Sequence, residues 1–324
     1  MKRPSMLIAM PLAQTTMKRL AEAGDVTVID PGEAGEDEFQ SALASHDGIL
    51  CSAMQRIPDG CLERASDRLR VVSNFGVGYD NVNVALATRC GVRVCNTPGI
   101  LSDAVAELVM LFILALARRL DDASGFVRGG HWGTESFPLA HDISGKTLGL
   151  VGFGRIGRAV AERALAFDMR VMASDVRDIT EGPWEQVPFE TLLAEADFVS
   201  VHVNLSQATR GLIGVESLGR MKRSAFLINT SRGPVVDTTA LRQALVSGAI
   251  AGAALDVTDP EPPAPEDPLL SMPRVIITPH VGTGTVETRE KMGDMAATNL
   301  IESLAGRQPP AVVNEVDLQL AGGT

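Results

Sequence analysis

Thr147-Leu148-Gly149-Leu150-Val151-Gly152-Phe153-Gly154-Arg155-Ile156-Gly157 sets Gly152, Gly154 and Gly157 at Gly-x-Gly-x-x-Gly spacing directly after an apolar run, and an acid, Asp175, follows eighteen positions later. The flanks decide how the motif reads. Residues 147–151 are short and apolar, as a buried parallel strand is, and residues 156–167 carry apolar side chains at helical spacing. A second apolar run, residues 170–174, delivers Asp175 at its end. A glycine turn between strand and helix lets backbone approach a diphosphate at the helix N-terminus, and an acid at the next strand end accepts from ribose hydroxyls. Strand, turn, helix, strand and acid in that order predict a dinucleotide-binding fold. The charge on Asp175 repels a 2′-phosphate, which favours NAD over NADP, while Arg177 two residues on softens that preference.

Working outward, a chain of 324 residues suits two domains. An apolar fraction of 45% is globular, and a net charge of −11 argues against nucleic acid and anionic membrane as partners, since both demand basic surface. Cys51, Cys61, Cys90 and Cys95 show no C-x-x-C spacing, so they are expected to be reduced thiols packed in apolar strands, with no metal bound. The N-terminus starts basic and then apolar, but Pro4, Pro11 and Gln14 interrupt it, which predicts the first strand of a cytoplasmic protein rather than a signal peptide. The most apolar segment, residues 104–117, contains Glu107 and falls short of the ~18 residues of a membrane span. It is expected to be a helix buried between domains or subunits.

Strand patterns fall at residues 6–9, 26–30, 48–52, 70–74 and 93–95, then at 148–151, 170–174, 198–203, 225–229, 252–257 and 275–278, with helical patterns between them. Such alternation predicts an α/β protein of two Rossmann-like domains with parallel sheets. Only the second set carries the glycine fingerprint. The apolar segment after Pro98 and a helical segment at 286–304 flank that set and read as two crossings between domains, with Val312 and Val313 returning to the first. The expected division is a discontinuous substrate-binding domain of residues 1–99 and 289–324 and an NAD-binding domain of residues 100–288. The proline-rich run 259–268 is a loop by composition.

In parallel sheets ligands bind beyond the carboxyl ends of strands. Three strand-end loops there bring out Arg232, Glu261 and His280. Singly, each also fits a surface loop or a structural role. Together they match hydride transfer to a 2-keto acid: a guanidinium to hold carboxylate or carbonyl oxygen, an imidazole to give the proton, and a carboxylate to keep that imidazole charged and oriented.

With these residues in view, the chain resembles the D-isomer-specific 2-hydroxyacid dehydrogenase family over essentially its full length. The likeness is carried by Phe75-Gly76-Val77-Gly78-Tyr79-Asp80-Asn81-Val82, Asn96-Thr97-Pro98, Val105-Ala106-Glu107, the fingerprint at 152–157, Asn229-Thr230-Ser231-Arg232-Gly233, Leu255-Asp256-Val257, Pro260-Glu261-Pro262 and Thr278-Pro279-His280-Val281-Gly282. The resemblance implies that Arg232 binds and polarises substrate, that His280 is the general acid/base and that Glu261 is its partner. It implies further that the Val77-Gly78 backbone meets the substrate carboxylate, that Arg155 and Ile156 cover the diphosphate, and that Asp256 accepts from the nicotinamide carboxamide. Val203, Thr230 and Gly282 complete the implied coenzyme site. A homodimer built on the coenzyme domains is also implied, with NAD(H) and a short anionic 2-keto acid meeting in the cleft between domains.

Some positions depart from the family pattern. Asn204 stands where many relatives carry proline. Cys51-Ser52-Ala53-Met54 lacks the arginine that phosphate-binding relatives place nearby, although Arg56 is close, which tilts the expectation toward glyoxylate or hydroxypyruvate and away from phosphoglycerate. Glu261 speaks against the formate dehydrogenases of the family, which carry glutamine there. The alternatives are a phosphoglycerate dehydrogenase, or a non-catalytic NAD-sensing protein that acts by partner contact.

Overall fold

The structure is a computed structural model and describes residues 3–65 and 68–316. The chain divides into two compact units, one of residues 1–101 and 285–324, the other of residues 102–284. Residues 317–324, which sequence assigns to the substrate-binding domain, lie outside the described residues, as do Met1 and Lys2.

The first unit is built on β1 (Ser5–Ala9), β2 (Asp25–Val28), β3 (Gly48–Ser52), β4 (Val71–Phe75) and β5 (Arg93–Cys95), all paired in parallel in the order β2-β1-β3-β4-β5. That order reverses at β1/β3, as in doubly wound sheets. The central strands are buried along their length because helices cover both faces, hence the continuous apolar runs Met6-Leu7-Ile8-Ala9 and Ile49-Leu50-Cys51. The helix Val286–Leu304, capped by Thr285 Oγ1 accepting from Thr288 N, packs on β4. Its position is fixed by two buried hydrogen bonds: Ser73 Oγ donates to Ala296 O at 2.7 Å, and Asn299 Nδ2 donates to Asn96 O at 2.9 Å. After this helix the chain runs beside β5, where Val313 N donates to Val94 O and Asn314 Oδ1 accepts from Val94 N.

The second unit holds β6 (Thr147–Val151), β7 (Arg170–Ser174), β8 (Glu185–Gln186), β9 (Phe198–Val201), β10 (Phe226–Asn229), β11 (Gly252–Leu255) and β12 (Val275–Ile277). All pair in parallel, in the order β12-β11-β10-β9-β6-β7-β8. The direction of winding reverses at β6, so the glycine turn that follows β6 sits at the topological switch point where such sheets bind ligands. The helix Ser102–Arg118 is apolar on most of its faces and packs on the helix Arg155–Leu165 and the sheet, with Val109, Phe112, Ile113 and Leu116 in one core with Val160 and Leu148. Each such fully buried side chain contributes roughly 1.5–3 kcal/mol relative to exposure. Among the described residues no helix is long and apolar enough to cross a membrane.

The structure corrects several details. β8 was not expected: two exposed residues leave no apolar run to read. β9 and β11 stop two residues short of the pattern, because the side chains beyond them turn into loops, and β2 runs 25–28 rather than 26–30. Only Cys51 and Cys95 lie in strands, whereas Cys61 is in the helix Asp59–Ala65 and Cys90 caps the helix Val84–Arg89; all four are free thiols.

Candidate active site

Because every strand of the second sheet points the same way, all its carboxyl ends share one edge. The strand order then sets out the predicted residues in sequence along that edge: His280 and Gly282 after β12, Asp256 and Glu261 after β11, Thr230 and Arg232 after β10, Val203 after β9, the glycine turn after β6 and Asp175 after β7. From β12 to β7 is five strand spacings, about 24 Å at ~4.8 Å each.

At the glycine turn, Gly152 has φ +91, and a Cβ there would lie 2.8 Å from the carbonyl carbon of His202, so the position tolerates no side chain. A Cβ on Gly157 would meet Gly152 O at 2.6 Å, which is how the helix Arg155–Leu165 comes so close to the turn. Gly154 differs: a Cβ there would meet nothing within 4 Å. Its open side faces a helix start with no side-chain cap, and among the described residues the N–H groups of Arg155 and Ile156 have no acceptor. Unpaired donors around an open cradle fit a diphosphate. The hydroxyl of Thr230 is also buried, without a hydrogen-bond partner among the described residues.

Asp175 Oδ2 accepts from Phe153 N at 2.7 Å, tying the strand-end acid to the turn, and Oδ1 accepts from Arg177 N at 2.9 Å. Burial works against its charge, but these N–H groups and the Arg177 guanidinium prevail and hold the carboxyl below its usual value. Beneath the turn, burial pushes the His202 imidazole down to about 4, so it is neutral, with Nε2 sharing a hydrogen with Ser200 Oγ at 2.9 Å.

Toward β12, His280 Nδ1 lies 2.6 Å from Glu261 Oε1, both side chains about a quarter exposed. With Nδ1 engaged by the carboxylate, Nε2 is the nitrogen left to exchange a proton with a ligand. His280 has φ +53, a left-handed conformation costing a non-glycine residue roughly 1–2 kcal/mol. Buried Asp256 imposes it. Its carboxylate accepts from Thr278 Oγ1 at 2.6 Å, Val281 N at 2.8 Å and Gly282 N at 2.7 Å, and its carbonyl accepts from His280 N at 3.0 Å. Three of about four acceptor positions on Asp256 are thus filled by its own chain. Gly282 is committed likewise, with room for a Cβ only at 3.0 Å from Asp256 Oδ2.

Arg232 leaves the end of β10 in extended backbone (φ −143, ψ 141). Asn229 shapes the loop: Nδ2 donates to Arg232 O at 3.0 Å, and Oδ1 accepts from Ser231 N and Ser231 Oγ. Gly233 is pressed so tightly on the Thr258 carbonyl after β11 that any Cβ would overlap it, which packs the arginine loop against the start of the loop that carries Glu261.

In the first unit, Val77 and Gly78 lie just beyond β4. Every carbonyl of this turn is anchored: Gly76 O accepts from Thr97 N, Val77 O from Asn96 Nδ2 at 2.9 Å and Gly78 O from Asn74 Nδ2 at 2.6 Å. Among the described residues the N–H groups of Val77 and Gly78 have no acceptor. With its carbonyls bonded and these amides unpaired, the turn has N–H donors to offer an anion. Asn96 and Asn229 open two of the motifs that carry the family resemblance, but the sequence assigns no role to them or to Asn74, although asparagine beside a strand-end turn signals a side chain that pairs with backbone.

Residues 110–282 match the model of the D-isomer specific 2-hydroxyacid dehydrogenase NAD binding domain. The chain belongs to the D-isomer-specific 2-hydroxyacid dehydrogenase family. It is 39% identical to a glyoxylate reductase of Thermofilum pendens over 99% of this chain and 97% of that protein, and 47% identical to a glyoxylate reductase of Korarchaeum cryptofilum over 78% of each. It is similar in structure to an NADPH-dependent glyoxylate/hydroxypyruvate reductase from Sinorhizobium meliloti solved with NADP and malonate, with a TM-score of 0.86 at 32% identity over 96% of this chain and 97% of that one. The chain is therefore an oxidoreductase with a nicotinamide dinucleotide-binding domain on an α/β scaffold of parallel sheets. Among the described residues no group of three or more His, Cys, Asp or Glu side chains could hold a metal ion.

Proposed function

We propose that this protein reduces a short 2-keto acid to the D-2-hydroxy acid, with glyoxylate or hydroxypyruvate as substrate and NAD(H) as coenzyme. The observation that carries the reading is the 2.6 Å His280–Glu261 pair, which leaves Nε2 available on the same sheet edge as the open glycine turn. The second unit acts as coenzyme domain, with Gly152, Gly154, Arg155, Ile156 and Gly157 holding the diphosphate, Asp175 the ribose, and Val203, Thr230, Asp256 and Gly282 shaping the nicotinamide end. The bound coenzyme supplies the hydride. His280 gives a proton from Nε2 to the forming alkoxide, and Glu261 stabilises the imidazolium that this requires. Arg232 polarises the carbonyl and grips the carboxylate, and the N–H groups of Val77 and Gly78 are donors suited to a substrate carboxylate. Asp256 serves chiefly by holding the strained His280 turn in place, given its three internal donors.

NAD is favoured over NADP by the ionised Asp175, although a structural neighbour at 32% identity is NADPH-dependent. We further infer a homodimer in the cytoplasm; four unpaired cysteines suit a reducing compartment. A panel of glyoxylate, hydroxypyruvate, phosphohydroxypyruvate and pyruvate, followed by the loss of NADH or NADPH absorbance, tests the reading. Turnover highest with glyoxylate or hydroxypyruvate and NADH supports it. Preference for phosphohydroxypyruvate indicates a phosphoglycerate dehydrogenase, and no turnover with any member indicates a coenzyme sensor.

A further inference from the structure

A cavity of about 590 Å³ opens in the second unit where β10, β11 and β12 begin. The four residues of β10, about 13 Å of strand, separate this edge of the sheet from the one that brings out Arg232, Glu261 and His280. Phe226, Ile250 and Met272 are part of an apolar lining, and Arg223, Arg274 and His141 are the titratable side chains around it. No Asp or Glu lines the cavity, although acids outnumber Lys and Arg by 40 to 29 in the chain. A mostly apolar hollow of this volume with a few polar groups has the make-up of a small-molecule site.

Among the described residues neither arginine forms an ion pair or donates a side-chain hydrogen bond. Arg274 is held 5.4 Å over the centroid of the Phe226 ring, and its Nε is buried without a partner. Its φ of +61 is left-handed, a conformation that arginine adopts at a cost. Arg223 is exposed and lies beside Gly248, where a Cβ would come 3.6 Å from Nη2. Cations also complement the carboxyl ends of helices, which is the structural use open to Arg223 after the helix Thr238–Val246. Yet the carbonyls of Gln243, Ala244 and Leu245 already accept from Ser247, Ala249 and Gly248 N. The adjoining groove shares Arg274 and carries Asp121 and Asp122, but Asp122 is engaged by Arg119 at 3.0 Å, and Asp121 makes no ion pair with Arg274.

We propose that this cavity is a binding site for a small organic anion, a carboxylate or phosphate monoester on an apolar body of about one ring. The uncommitted guanidinium groups of Arg223 and Arg274 receive the charged head, Phe226 keeps the Arg274 fork in place, and the apolar lining takes the body.

Calorimetric titration at saturating NADH, which fills the coenzyme site, tests 4-phenylbutyrate, phenyl phosphate and the uncharged 4-phenylbutanamide on wild type, Arg223→Gln and Arg274→Gln. At least one anion is expected to bind saturably with a Kd below about 10 mM, and the amide is not. The tighter of the two anions tells a carboxylate head from a phosphate head. Each substitution should raise the Kd of that anion by about 10- to 100-fold, the worth of a charge-assisted hydrogen bond, with Tm and NADH affinity close to wild type. Should Arg274→Gln melt early for want of its contact with Phe226, Arg223→Gln carries the test. Absence of saturable binding by either anion overturns the site, as does an amide that binds as tightly as 4-phenylbutyrate. A Kd that a folded variant leaves unchanged also overturns it, since the anion then sits elsewhere. Binding is read without turnover, so the result stands apart from the reduction of 2-keto acids.

Discussion

Gly154→Ala separates the coenzyme cradle from the fold. Gly154 is in extended backbone (φ −78, ψ −158) that alanine adopts without strain, and its new Cβ would meet no atom within 4 Å. It precedes the helix Arg155–Leu165, where alanine is a poorer N-terminal residue than glycine by up to about 1 kcal/mol, and reduced freedom of the unfolded chain offsets roughly 0.4–1 kcal/mol of that. Stability should therefore change by less than about 1 kcal/mol, a shift of a few degrees at most in Tm. Coenzyme binding should respond differently. The methyl group takes the space through which a diphosphate reaches the Arg155 and Ile156 N–H groups. Losing one or two charge-assisted hydrogen bonds costs about 2–4 kcal/mol, which weakens the NADH Kd roughly 30- to 700-fold. Fluorescence titration with NADH, alongside a thermal melt of the free protein, measures both. A Kd within about threefold of wild type in a protein with unchanged Tm would refute the placement of the diphosphate.

Three further outcomes follow from the same geometry. Gly157→Ala puts a Cβ 2.6 Å from the backbone oxygen of Gly152, so it should lower stability by about 1–3 kcal/mol as well as weaken NADH; an unchanged melt would contradict the close helix approach. Asp175→Ser removes the charge that repels a 2′-phosphate, and the ratio of kcat/KM with NADPH to that with NADH should rise about tenfold or more; a ratio that stays put means other groups read the ribose. Asp267 is buried, bonded to Arg242 and to Leu269 N, and the Arg242 pairing holds its pKa below the usual value. Since the depressed pKa belongs to the folded state, its stabilisation is complete above about pH 4 and is lost as pH falls through the folded value. Asp267→Asn should thus cost about 1–3 kcal/mol near neutral pH and progressively less in acid, as chemical denaturation at several pH values would report. A cost independent of pH would point to packing instead.

The α/β class was legible because parallel strands covered on both faces must be apolar throughout, and eleven such runs stand out between helical stretches. The glycine turn, Asp175, Arg232, Glu261 and His280 were legible because each lies at a strand end, where short-range pattern and position coincide. What escaped depends on long-range partners. That Asp256 spends its carboxylate on Thr278, Val281 and Gly282, that His280 has positive φ, and that Asn74 and Asn96 turn the Val77–Gly78 amides outward are consequences of residues meeting across the fold. β8 escaped for the opposite reason, since a two-residue edge strand has no pattern to show.

The central claim is that His280, held by Glu261, gives the proton that accompanies hydride transfer. Its most direct measurement is kcat of His280→Ala with glyoxylate and saturating NADH, with the NADH Kd measured on the same preparation. A fall in kcat of about 10² to 10⁴ at unchanged NADH affinity is the expected result; turnover near that of wild type would contradict the account.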